Sequence, residues 1–173
     1  MIKMKRLISF LMFAIIFANI SLAQDADSLY AKDLLTPGTE APDFTLKSLD
    51  GKEYSLHKLN KKGYVVLDFW SSWCRDCLKD IPAVKALYEQ YGKKVNFVGI
   101  SFDDNKESWA NCVEKNQIAW LQLSELKKWR DSEVSKLYHI KWIPTMYLLD
   151  PQGKVVLATV QVEKLEKKLK ELF

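Results

Sequence analysis

A chain of 173 residues with 48% hydrophobic and 28% charged residues is long enough for one domain with a substantial core, and its composition excludes a disordered or fibrous protein. The formal net charge is +4, but residues 1–23 hold three of the positive charges and no acid, which leaves the remainder at +1. That near-balance excludes nucleic-acid binding driven by bulk charge.

The chain opens on Lys3, Lys5 and Arg6, followed by an apolar run over 7–18 and small residues at Ser21 and Ala23. This is the pattern of a secretory signal peptide cleaved after Ala23. The run is shorter than the ~20 apolar residues of a membrane-spanning helix. An exported protein of the periplasm or cell envelope is expected, touching the membrane only if residues 1–23 are retained. Export would place Cys74, Cys77 and Cys112 where thiols tend to oxidise.

Residues 24–37 form a polar lead-in with a Pro-Gly turn, and 38–173 form the domain. Alternating apolar and polar residues over 43–47 and 53–57, around Ser-Leu-Asp-Gly, predict a β-hairpin. Residues 64–70 are continuously apolar except for Asp68, which suits a strand buried on both faces. Leu78, Ile81, Val84, Leu87, Tyr88 and Tyr91 recur at helical spacing, so a helix runs from Cys74 to about Tyr91, kinked by Pro82 and stopped by Gly92. A second buried strand follows at 95–101, then a helix over 105–116 capped by Asn105. Residues 118–123 are extended and 132–138 form a short helix. Two strands, 145–150 and 154–160, are joined by Asp-Pro-Gln-Gly. A last helix starts near Gln161, with Leu165, Leu169 and Leu172 on one face and Glu-Lys pairs at 163/167 and 166/170. The fold class is α/β, a central mixed sheet flanked by helices with an added N-terminal hairpin.

The chemistry centres on Trp73-Cys74-Arg75-Asp76-Cys77, where a buried strand gives way to a helix. Free N–H groups at a helix N-terminus favour negative charge, and the thiolate is the reactive form of cysteine. Cys77 lies three residues on, on the same helix face, so one thiolate can attack a disulfide and the other resolve it. Zinc would need about four ligands. There is no second cysteine pair, and His57 and His139 are the only histidines. A purely structural bridge is the stronger competitor, although so short a loop removes little chain entropy.

With "VVLDFWSSWCRDC", a proline at position 82 and "WIPTMYLLD" farther on, the chain resembles the thioredoxin superfamily. The hairpin "APDFTLKSLDGKEYSL" makes it most similar to the exported TlpA/ResA-like branch, over residues 38–173. The resemblance implies that Cys74 is the nucleophile, Cys77 the resolving thiol and Pro144 a cis-proline against the dithiol. It implies that substrate pairs with backbone at Ile143 in β-type recognition. It also implies that Asp68 is a buried acid with raised pKa, able to exchange the proton of Cys77. Trp73 is expected to cover the dithiol, with Trp70 in the core. Trp142 stands where relatives often have glycine, and would narrow the substrate groove. Arg75 and Asp76 replace the Gly-Pro of thioredoxin and act in opposite senses on the Cys74 thiolate.

The expected activity is thiol–disulfide exchange with no cofactor and no metal. The partners would be protein disulfides or dithiols, for instance in cytochrome c maturation, and an upstream membrane electron donor. An envelope oxidant remains an alternative. So do a thiol peroxidase, though the Pro-x-x-x-Thr-x-x-Cys loop is absent before Cys74, and a copper carrier, though that would use Cys-x-x-x-Cys. Cys112 is expected to be a buried, inert thiol. Asp103 and Asp104 are expected to solvate a loop, and His139 to sit exposed at a helix end.

Overall fold

The computed structural model describes residues 25–61 and 63–173; the segment 1–23, with its signal-peptide pattern, lies outside them. Seven strands form one mixed sheet in the order β2-β1-β5-β4-β3-β6-β7. At its centre β3 (Tyr64–Trp70) runs parallel to β4 (Val95–Ser101), pairing Tyr64 with Val95 and Trp70 with Ser101. Both are nearly all buried, as their mostly apolar sequences, broken by Asp68 in β3 and Asn96 in β4, require. β5 (Leu121–Ser124) continues the parallel set beyond β4. On the other side β6 (Thr145–Leu149) pairs antiparallel with β3, and β7 (Val155–Thr159) antiparallel with β6. The hairpin β1 (Thr45–Ser48) and β2 (Glu53–Ser55) adds to the edge at β5.

Side chains alternate across β3. Phe69 faces an aromatic layer, its ring 5.3 Å from Tyr138, 6.0 Å from Tyr147 and 5.9 Å from Phe102. Asp68 and Trp70 face the opposite side, towards the long helix α3 (Arg75–Tyr91). The C-terminal helix α6 (Val162–Leu172) packs beside α3, burying Val162, Leu165 and Leu169. Pro82 lies inside α3, which continues through it. Gly92 closes α3 in a right-handed conformation (φ −61°), so glycine is not there for a left-handed cap. A Cβ at that position would lie 2.6 Å from the Tyr88 carbonyl oxygen, and close approach is what demands glycine.

Several elements differ from the sequence-based expectation. The lead-in contains a helix, α1 (Ala26–Tyr30), whose cap is the Asp25 carboxylate accepting the Asp27 N–H. The strand expected over 53–57 ends at Ser55, because Leu56 turns into the core at the start of α2 (Leu56–Asn60). Asn60 then donates to the carbonyls of Asp150 and Gly63, tying α2 to the β6–β7 turn. The extended segment at 118–123 becomes a strand only from Leu121, and a 3-10 turn at Trp129–Asp131 follows it. The helix α4 (Lys106–Lys115) is capped by Asn105, which accepts the Ser108 N–H at 2.8 Å, as its sequence indicates. A short helix, α5 (Glu133–Leu137), precedes β6.

Candidate active site

Where β3 ends, the chain turns into α3 through Ser71, Ser72 and Trp73, the Cys74 N–H bonding to the Ser71 carbonyl at 3.1 Å. Asp103 holds this turn. Its carboxylate accepts the Ser72 N–H at 3.0 Å and the hydroxyls of Ser72 at 2.5 Å and Ser101 at 2.6 Å. At 2% exposure it braces the motif from inside, whereas loop solvation was expected. Asp104, its neighbour, is the solvated one, 3.8 Å from Lys128. A Ser–Ser pair at a strand end followed by an acid at the next parallel strand's end is the sequence signal, but only the β3–β4 pairing makes it legible.

Cys74 is the N-cap of α3 and is disulfide-bonded to Cys77, with Cα atoms 5.3 Å apart. Its Sγ accepts the Cys77 N–H at 3.1 Å. In the reduced protein this donor and the helix dipole both stabilise a thiolate at Cys74. Both cysteines are nearly enclosed, Cys74 at 7% exposure and Cys77 at 3%. Facing them, the Ile143–Pro144 peptide is cis, and the Ile143 carbonyl oxygen lies 3.7 Å from Cys74 Sγ. Thr145 Oγ1 donates to the Trp142 carbonyl at 2.7 Å, fixing this turn at the entrance to β6.

Behind the dithiol, Asp68, Asp80, Cys77 and Pro144 line a cavity of about 10 Å³, room for about one water. Burial, with a contribution from Asp80, pushes the Asp68 carboxyl up to about 7. Among the described residues nothing donates a hydrogen bond to it. Asp80 is raised too, by burial first and then by Glu163 and Asp76. Sequence reading passed over Asp80, although it follows Cys77 at i+3 and so shares its helix face.

The aromatic residues divide. Trp70 is core, its indole N–H donating to Gln122 Oε1 at 3.0 Å. Trp73 is 58% exposed and lines a surface groove with Phe102 and Trp129 rather than forming a closed lid. Trp142 is half-buried and stacks on Tyr30, ring centroids 4.0 Å apart. Cys112 is half-buried, its thiol raised by burial and touched by the Asn116 amide at 3.4 Å. His139 is exposed, as expected, its Nδ1 3.0 Å from the Asp33 carbonyl oxygen.

A thioredoxin-like sheet that sets a Cys-x-x-Cys pair at a strand–helix junction, against a cis-proline turn, defines a thiol–disulfide oxidoreductase. Residues 37–158 match the model of the AhpC/TSA family, and the chain belongs to that family. It is 31% identical over 126 residues to the thiol-disulfide oxidoreductase ResA of Bacillus cereus, covering 72% of this chain and 70% of the relative. Among solved structures, a thiol-disulfide oxidoreductase from Bacteroides fragilis superposes with a TM-score of 0.73 at 33% identity, over 78% of this chain and 100% of that one. A thiol:disulfide interchange protein from a Bacteroides species gives a TM-score of 0.70 at 31% identity, over 79% and 90% of the two chains.

Proposed function

We propose that this oxidoreductase is an exported reductase of protein disulfides in the cell envelope. Cys74 is the nucleophile, Cys77 the resolving thiol and Asp68 its proton partner. The observation that carries the reading is the arrangement around one sulfur. Cys74 Sγ sits at the N-terminus of α3 and 3.7 Å from the Ile143 carbonyl, with the raised carboxyls of Asp68 and Asp80 on the far side of Cys77.

In the reduced protein the Cys74 thiolate attacks one sulfur of a substrate disulfide. The substrate S–S bond breaks, its other sulfur leaves as a thiolate and takes a proton from solvent. An extended substrate chain runs beside Ile143, in the turn just ahead of β6, and bonds to its backbone. Cys77 then gives its proton to the Asp68 carboxylate, directly or through one water in the cavity, and attacks Cys74 Sγ. The mixed disulfide breaks and the second substrate sulfur leaves as a thiolate. Two electrons have passed to the substrate and the Cys74–Cys77 bond has formed. Resetting the pair takes a dithiol donor, for which a membrane protein of the envelope is the natural source. Reduction of a disulfide in apo-cytochrome c, which frees its two thiols, is one service such a protein would perform.

The reduction potential of the Cys74–Cys77 pair tests the direction. A value near thioredoxin's, about −270 mV, supports the reductase. A value near about −120 mV makes the protein an oxidant and overturns it. Export is tested separately, by fractionating cells and sequencing the N-terminus, which should begin at Gln24.

A further inference from the structure

The lead-in segment is fastened to the end of β7, the start of α6, Lys141 and Tyr147. Asp27 accepts from the Val160 N–H at 2.8 Å and the Thr159 hydroxyl at 2.9 Å, and Lys164 bridges Asp25 and Asp27 at 2.7 Å each. Farther on, Asp33 pairs with Lys141 at 2.8 Å, and the Leu35 N–H donates to Tyr147 Oη at 3.1 Å. Between these anchors the Tyr30 ring lies on the indole of Trp142, 4.0 Å between centroids and 19° between planes. The placement is unusual for two large rings. α1 buries none of its residues, Tyr30 is 39% exposed, and Trp142 is only half-buried.

Trp142 adjoins Ile143, whose carbonyl faces Cys74. Its backbone is fixed by Thr145 and its ring by Tyr30. On the other flank of Cys74 stands Trp73, 58% exposed. Ile143 thus has a clamped indole as its chain neighbour at Trp142, and Cys74 has a solvent-exposed one at Trp73. We infer that Tyr30 is a positioning residue that holds Trp142 as a ledge beside Cys74, and that the ledge selects polypeptide disulfides with an aromatic or large aliphatic side chain next to the reacting cysteine. This rests on the reading that the pair reduces protein disulfides. The match is physical: a clamped, half-exposed indole gains most from an apolar neighbour that covers it and gains nothing from a small polar one.

The test compares two peptide disulfides, one with phenylalanine and one with serine beside the cysteine, and a small aliphatic disulfide that cannot reach the ledge. The full exported chain is used, with Tyr30→Ala and Tyr30→Phe. In Tyr30→Ala, KM for the phenylalanine peptide should rise about three- to tenfold, the range an aromatic pair supplies. Its kcat, and the rates with the serine peptide and the small disulfide, should stay as in the parent. Tyr30→Phe keeps the stacked ring and should restore KM. Equal effects on both peptides, no effect on either, or no rescue by phenylalanine would each overturn the inference. Should Tyr30→Ala fail to fold, Tyr30→Leu keeps the bulk without the ring and is read the same way. If the parent chain reduces neither peptides nor the small disulfide, the reductase reading itself fails, an outcome separate from loss of selectivity alone.

Discussion

The Ile143 carbonyl oxygen lies 3.7 Å from the Sγ of Cys74, so the turn into β6 and the start of α3 close on a single sulfur from two sides. Cys77 lies deeper, at 3% exposure against 7% for Cys74. In the proposed exchange a substrate would thus meet Cys74 first, and Cys77 would act from behind.

That asymmetry separates the two cysteines experimentally. Cys77→Ser should accumulate a mixed disulfide between Cys74 and its substrate, visible as a band on a non-reducing gel that dithiothreitol removes. Cys74→Ser should trap nothing and lose all turnover. Trapping by Cys74→Ser instead would reverse the assigned order of attack.

Asp68 should make the oxidised protein less stable as pH rises. Its folded pKa, about 7, lies above the usual 3.8, so the folded state holds the proton more tightly. The stability this gives is complete below pH 3.8 and is lost as pH climbs through about 7. Asp68→Asn removes the dependence. It should unfold at higher denaturant than the parent at pH 8, by up to about 4 kcal/mol at 1.36 kcal/mol per pH unit, and match it near pH 4. A variant that is weaker at pH 8 would show that the carboxylate is satisfied by partners after all. Resolution should slow in the same variant if Asp68 is the proton acceptor proposed for Cys77.

Asp80 contributes to the elevation of Asp68 by like charge. Asp80→Asn should therefore lower the Asp68 pKa and move the corresponding limb of the pH–rate profile to lower pH. A limb that stays in place would remove Asp68 from the rate-controlling step.

How far the sequence went depends on whether a signal was local. β3 and β4 came out residue for residue, because a strand buried on both faces writes an apolar run with few polar breaks, here Asp68 and Asn96. The Asn105 cap was legible for the same reason, one side chain serving its own helix. α1 was missed because its Asp27 anchors lie on Thr159, Val160 and Lys164, more than 130 residues away in the chain. Asp103 was misjudged likewise: an aspartate after a strand looks solvated until β3 is laid beside β4 and Ser72 arrives over it. The dithiol announced itself by spacing, and the i+3 spacing of Asp80 to Cys77 carried a signal too, whereas Tyr30 acquires meaning only from what the fold sets against it.

Removing the brace under the motif should cost both stability and activity. Asp103→Ala leaves the Ser72 N–H and two serine hydroxyls without their acceptor in a buried site, a loss of about 1–3 kcal/mol or more. Thermal unfolding and turnover measured together check it. Unchanged turnover in a destabilised variant would mean that α3 alone positions Cys74.

The contact beneath Trp70 makes a sharper test, because it predicts non-additivity. Gly99 lies on β4 against the side-chain amide of Gln122, and a Cβ there would overlap that amide. Gln122 is buried at 5% exposure and accepts the Trp70 indole N–H at 3.0 Å, so its amide cannot swing away freely. Gly99→Ala should destabilise by about 1–3 kcal/mol, the cost of a displaced buried hydrogen bond. Gln122→Ala should cost a similar amount, since it leaves the same indole N–H unpaired. In the double variant the methyl group added by Gly99→Ala enters space that Gln122 has vacated, and its own penalty should largely disappear. Denaturant unfolding of the four proteins completes the cycle. Strictly additive losses would mean that Gly99 is required by the strand backbone itself, and that the Gln122–Trp70 bond plays no part in the glycine at that position.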